Sequence, residues 1–154
     1  MKQRRSLLEN QENASKLHQK VGKLLESSAL SRYKIYQEYP VSKINPHCTN
    51  NRLKFDWVIL DLRVVIECHG RQHFEATDWT GKSEDGGLIN LQEIQARDRY
   101  KMEFAEDAGF TYVVVRYDEE DISKEELIAR ILSTPSGPIP IIVKATPDRD
   151  WETT

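Results

Sequence analysis

The chain has 154 residues, 38% hydrophobic and 31% charged, which is the size and composition of one globular domain with a core of its own. Its net charge of −3 argues against a protein that coats nucleic acid by bulk charge, but the total conceals an asymmetry. Residues 1–54 carry 11 Lys/Arg against 4 Asp/Glu, and residues 55–154 carry 11 against 21, so a basic arm is joined to an acidic body.

Two cysteines, Cys48 and Cys68, with no Cys-x-x-Cys pair, speak against a disulfide scaffold or a thiolate zinc module. The start MKQRRSLLENQEN is basic but has no apolar stretch behind it. The apolar runs fall far short of the ~18 residues of a membrane span. A cytoplasmic protein with reduced thiols is expected. No fixed-period repeat or low-complexity segment is visible.

Residues 1–12 read as a loose basic arm, 13–133 as the domain and 134–154 as a C-terminal extension. Asn13 or Ser15 can cap a helix over 14–28, whose face is Leu17, Val21, Leu24, Leu25 and Ser28, with Lys16, Lys20 and Lys23 elsewhere. Tyr33 to Tyr39 reads as a strand ended by Pro40. Asn45, Pro46, Asn50 and Asn51 mark 41–52 as a loop. Leu53 to Leu60 is a second strand, Asp61-Leu62 a tight turn, and Arg63 to Cys68 a third, well-buried strand ended by Gly70. Residues 71–87 form a long polar loop, a length that is usually functional or mobile. Leu88 to Ala108 is a helix with Leu91, Ile94, Tyr100 and Phe104 inward and Gly109 as its C′ residue. Phe110 to Tyr117 is a fourth strand, and Ser123 with Glu126 caps a last helix to Leu132. The order α-β-β-β-α-β-α predicts an α/β domain: one mixed four-stranded sheet with helices on both faces.

Chemistry concentrates in the second and third strands. Asp56 interrupts LKFDWVIL and Glu67 closes RVVIEC. A carboxylate within a strand built for burial is costly unless something compensates it. A tight turn at 61–62 sets the two nearly opposite each other, where a hard divalent cation such as Mg2+ would relieve their repulsion. Both could instead face solvent at an edge. His69, two residues past Glu67, shares its face, and His73 follows in CHGRQHF. Either histidine could activate water or ligate a metal. Asp98 and Lys101 share a helical face, with Arg97 and Arg99 beside them. Arg116 ends the fourth strand, placed to reach a phosphate or pair with Asp118.

These residues together resemble the PD-(D/E)XK nuclease superfamily, whose pattern would be Asp56, then Glu67-Cys68-His69. Within it, the likeness is to the very-short-patch-repair-like and EDxHD-type phage and homing nucleases. It rests on IECHGRQHF (66–74), Asp98 to Lys101, and the aromatic strand at Gly109 to Val114, and covers about residues 14–117. The resemblance implies a restriction-endonuclease-like core and Mg2+-dependent hydrolysis of DNA, with Mn2+ as a substitute and Zn2+ less suited. Asp56, Glu67 and the Cys68 carbonyl would hold the ion, with Asp98 a further candidate. His69, His73 and Lys101 would be catalytic. Two departures stand out: His69 occupies the usual lysine position, and His18 the place of a first-helix glutamate, where it would join the site or simply sit on the helix surface. Lys16, Lys20, Lys54, Arg71, Gln72 and Arg97 would meet DNA. A homodimer would suit double-strand cutting, nicking needs only a monomer, and a phage-type enzyme would act in the host cytoplasm.

Two other readings stand beside the endonuclease. One is a non-catalytic nucleic-acid-binding module on a nuclease fold, which the presence of both Asp56 and Glu67 argues against. The other is a protein-interaction factor that docks a basic partner through Asp118-Glu119-Glu120-Asp121, although such runs are commonly solvated surface.

Overall fold

The computed structural model describes residues 16–76 and 84–132. The 1–12 arm, the 134–154 extension and residues 77–83 of the polar loop lie outside the described residues. Helix α1 covers residues 16–25. It is followed by β1 (Tyr36–Pro40), a short α2 (Val41–Ile44), β2 (Lys54–Ile59), β3 (Val64–His69), α3 (Leu88–Asp107), β4 (Thr111–Arg116) and α4 (Lys124–Leu132).

The four strands form one mixed sheet in the order β1-β2-β3-β4. The first three make an antiparallel meander, and β4 returns parallel to β3, with Val64 opposite Thr111 and His69 opposite Arg116. A parallel return cannot be made by a hairpin, and α3 is the crossover that makes it. The β2–β3 turn is a 3-10 turn at Leu60–Leu62 closed by Arg63 in the left-handed region at φ 52.

Helices flank both faces. On one, Leu17, Val21 and Leu25 of α1 and Leu127 and Ile131 of α4 pack on Trp57, Ile59, Val64, Ile66, Val113 and Val115. On the other, Val41 of α2 and Ala105 of α3 pack on Phe55, Val58 and Val65. The end of α3 is a Schellman motif around Gly109 at φ 83: the Gly109 N–H donates to the Glu106 carbonyl and the Phe110 N–H to that of Ala105. At the start of α4, Ser123 Oγ accepts the Glu126 N–H at 3.1 Å.

Several expectations need correction. Helix α1 ends at residue 25, so Ser28, exposed in a separate 3-10 turn Ser28–Leu30, is not on its face. The first strand begins at Tyr36 and includes Pro40. Residues 41–44 are helical rather than loop. Pro40 sets the entry, Val41 is fully buried, and Asn45 Nδ2 donates to the Phe104 carbonyl at 3.1 Å, so tertiary docking stabilises a turn that local propensity does not signal. Tyr100 is not inward but 58% exposed. The inward positions near it are held by Asp98 and Lys101, so an apolar pattern misplaces the middle of α3.

Candidate active site

The β2–β3 register runs Ile59↔Val64, Val58↔Val65, Trp57↔Ile66. The pairing stops there, one step short of Asp56 and Glu67, which the tight turn was expected to set opposite each other. There the ladder changes character. The Cys68 N–H donates to Asp56 Oδ2 at 2.8 Å, a side-chain acceptor. Strand β2 also changes face: Phe55 packs with Val58, while Trp57 and Ile59 pack on the other side. Strict alternation would put Phe55 with Trp57. In the β1–β2 register Gln37 pairs with Trp57 and Tyr39 with Phe55, so Glu38 falls at the level of Asp56, and its φ is 53. The strands are thus distorted at one level, the level of the carboxylates.

Glu67 and His69, two apart on β3, are both buried, at 3% and 6% exposure. Lys101 reaches Glu67 from α3, with Nζ 3.1 Å from Oε1 and 3.5 Å from Oε2. Burial drives the Glu67 carboxyl pKa up to about 8. Lys101 pulls against that shift, and the negative charges of Asp56 and Asp98 add to it. Glu67 is therefore a buried acid whose charge one ammonium only partly compensates.

The 3-10 turn Arg71–His73 folds His73 back over His69. The rings stack with centroids 4.3 Å apart and planes 7° apart. Asp98 serves both: Oδ2 lies 2.6 Å from His73 Nδ1 and Oδ1 lies 3.8 Å from His69 Nε2. Burial lowers the His69 pKa to about 4 despite the attraction of Asp98, so this ring is neutral near pH 7. His69, His73 and Asp98 each offer a ligand atom within 4.8 Å of the others, so the trio could also hold a metal. Burial raises the Cys68 thiol, which keeps it protonated and a poor nucleophile; its backbone is the part that faces Asp56.

His18 lies on α1, stacked on Trp57 at 4.1 Å, and one ring nitrogen falls within 4.8 Å of carboxylate oxygens of Glu38 and Asp56. The structure therefore brings Asp56, Glu67, His69, His73, Asp98 and Lys101 to one end of β2 and β3, with His18 beside Asp56. The cationic residues are less gathered. Lys16, Lys54 and Arg97 are exposed, and Lys20 is half-buried. Arg71 is exposed with its guanidinium 3.6 Å from Glu75. Gln72 is half-buried over Gly70, where an added Cβ would meet its Oε1 at 2.6 Å. Arg116 pairs with Asp118 at 3.1 Å and lies over the Phe74 ring at 4.0 Å. Glu119 of the acidic run pairs with Arg130, so two of its four acids are engaged within the fold.

Three residues escaped the sequence reading. Gln95 Nε2 donates to the His73 carbonyl at 3.2 Å, from one turn before Asp98. Tyr112 places its hydroxyl 3.5 Å from His69 Nε2, and nothing in FTYVVV marks it. Glu38 had a signal, since it is an acid inside an aromatic strand, the same anomaly that singles out Asp56. Set against known proteins, the chain matches no family model, no curated protein and no solved structure.

Proposed function

We propose that the chain is a metal-dependent DNA endonuclease that hydrolyses phosphodiester bonds, within a restriction-endonuclease-like core. The observation that carries this reading is the convergence of Glu67, His69, His73, Asp98 and Lys101 under α3, with Asp56 at the adjoining gap between β2 and β3. Titratable groups packed this densely out of water are costly to fold and cluster where chemistry needs them.

The donors fit a hard divalent ion. Asp56 stands near enough to Glu67 to raise its pKa, and burial leaves the Glu67 carboxylate short of positive charge. Asp56, Glu67 and the Cys68 carbonyl would hold Mg2+, with Mn2+ as a substitute. When bound, the ion supplies Lewis acidity at the phosphodiester and makes a water easier to deprotonate.

The remaining work falls to the chain's own groups. Asp98 accepts the Nδ1–H of His73, which leaves His73 Nε2 with its lone pair free to take the proton of the attacking water. His69, neutral and stacked on His73, holds that ring in plane. Lys101 sets positive charge beside Glu67, where the phosphoryl oxygens gain negative charge. The water oxygen bonds to phosphorus, the P–O3′ bond breaks, and the departing 3′ oxygen takes a proton from solvent. The products are a 5′ phosphate and a 3′ hydroxyl.

The test is a cleavage panel of supercoiled plasmid, junction and flap DNA with Mg2+ or Mn2+. The unaltered chain cuts at least one of these substrates, and Asp56→Ala and Glu67→Ala do not. Equal cleavage by both variants would overturn the metal assignment. His69→Ala should lose activity while keeping Mg2+ affinity by calorimetry; lost affinity would make His69 a ligand instead.

A further inference from the structure

The outer edge of the sheet carries a row of cations and rings. Along β1, Tyr36 pairs with Val58 and Tyr39 with Phe55, and both partners belong to the core under α2 and α3. Residues three apart on a regular strand point to opposite faces. Here Glu38, in the left-handed region at φ 53, lies between them, and the two rings meet with centroids 5.1 Å apart. Lys34 Nζ lies 4.9 Å from the centre of the Tyr36 ring, and Lys43 Nζ, from α2, lies 5.6 Å from that of Tyr39. The order in space is ammonium, phenol, phenol, ammonium.

The row is open to solvent and its charge is uncompensated. Both lysines are exposed and both rings are half-buried. Among the described residues, neither ammonium has a carboxylate within ion-pair distance. Residues 32–54 hold five Lys/Arg against one acid, Glu38. Positive charge interleaved with accessible rings complements a polyanion that also offers flat apolar faces.

We propose that Lys34, Tyr36, Tyr39 and Lys43 form a binding surface for single-stranded DNA, with bases stacked on the tyrosines and phosphates at the lysines. A cation–π contact at an exposed site is weaker than base–aromatic stacking, so a base can take a lysine's place over its ring and free the ammonium for a phosphate. A duplex keeps its base faces in its own stack and meets only the lysines. The surface therefore suits the unpaired arm of a flap or branched DNA. Tyr39 pairs with Phe55, the residue before Asp56, so the row begins beside the carboxylate end of the sheet. None of the four side chains belongs to the carboxylate–histidine site; only the choice of DNA over RNA rests on the endonuclease reading.

The experiment is fluorescence anisotropy of a labelled oligothymidine of about 12 nucleotides with the full chain in EDTA, which reads binding without cleavage. Tyr36→Ala should weaken binding by on the order of 10-fold, and Tyr36→Phe, which keeps the ring, should bind as the unaltered chain does. Lys34→Ala and Lys43→Ala, at exposed positions, should each lower the slope of log affinity against log salt by about 0.7. A hairpin duplex of matched length should bind more weakly and ignore Tyr36→Ala. Where Tyr36→Ala fails to fold, the two lysine variants decide. An unchanged salt slope in both lysine variants would overturn the surface, as would equal losses of duplex and single strand in Tyr36→Ala, or tighter binding of oligouridine. Tyrosine-dependent binding by a chain that cuts nothing would fail the endonuclease reading alone. Cleavage with an unchanged affinity in Tyr36→Ala would fail this surface alone.

Discussion

The two faces of the sheet are built on opposite terms. Under α1 and α4, the inward positions are hydrocarbon: Leu17, Val21, Leu25, Leu127 and Ile131 are all exposed by 4% or less. Helix α3 is the longest among the described residues, at 20 residues, yet its one buried residue is Ala105, and it turns Asp98 and Lys101 toward β3. A helix that covers a sheet normally gives that stripe to apolar side chains. The first face holds the domain together, and the second gives up apolar burial to the charged groups that the proposed endonuclease would use.

The contrast can be broken from either side. The largest effect is on chemistry: Glu67→Ala should cut DNA cleavage by on the order of 10³-fold while the fold survives, checked by nicking rate and circular dichroism. On the opposite face, Leu127→Ala should cost about 2–5 kcal/mol in urea melts, with cleavage per folded molecule unchanged.

A third prediction uses pH on the metal-free chain. Glu67 is raised to about 8, so the folded state keeps a proton that the unfolded chain releases above 4.5, and stability falls as pH rises through that window. His69 is lowered to about 4, so between about 4 and 6.5 the unfolded chain holds the extra proton, and stability rises with pH. The two slopes oppose each other from 4.5 to 6.5, and Glu67 acts alone from 6.5 to 8. Stability should therefore be nearly level in the lower window, then decline with rising pH in the upper one as the unfolded chain releases a proton that folded Glu67 keeps. Glu67→Gln should abolish that decline, and saturating Mg2+ should blunt it. A decline that persists in Glu67→Gln would assign it to another group.

The smallest effect separates the helix surfaces. Tyr100→Ser, on the outer side of α3, should shift stability by no more than about 0.5 kcal/mol in the same melts. A loss near that of Leu127→Ala would mean that α3 carries core weight on its outer side.

The meander was legible because its signals are local. Apolar strands around Asp61-Leu62 set the register from Ile59↔Val64 to Trp57↔Ile66, one step short of Asp56 and Glu67, and Gly109 marks the end of α3 to within a residue. The pairing of His69 and His73 was visible from spacing, but their stacking depends on the 3-10 turn at Arg71–His73, which sequence does not announce. Helix α2 was missed because its stabilisation is tertiary, through Val41 and the bond from Asn45 to Phe104. Tyr100 was misplaced by the assumption that inward means apolar, which fails where a helix lines a polar site. Tyr112 and Gln95 meet the histidines only after the crossover has brought α3 and β4 back to the meander, so no short window of sequence contains their partners.

That crossover has a kinetic consequence. Strands β1 to β3 are sequential neighbours, joined by residues 41–53 and by the turn at 60–63, whereas β4 must find β3 across the whole length of α3. Contacts distant in sequence carry a larger loop-closure entropy and form later. Glu67, His69 and His73 belong to the early part, and Asp98 and Lys101 to the late one. The buried acid of β3 thus waits for its ammonium, and the histidines for their shared carboxylate, until the last long loop shuts. In a refolding experiment, hairpin structure should be protected from hydrogen exchange before the site exists, and competence to cut should appear together with protection of β4.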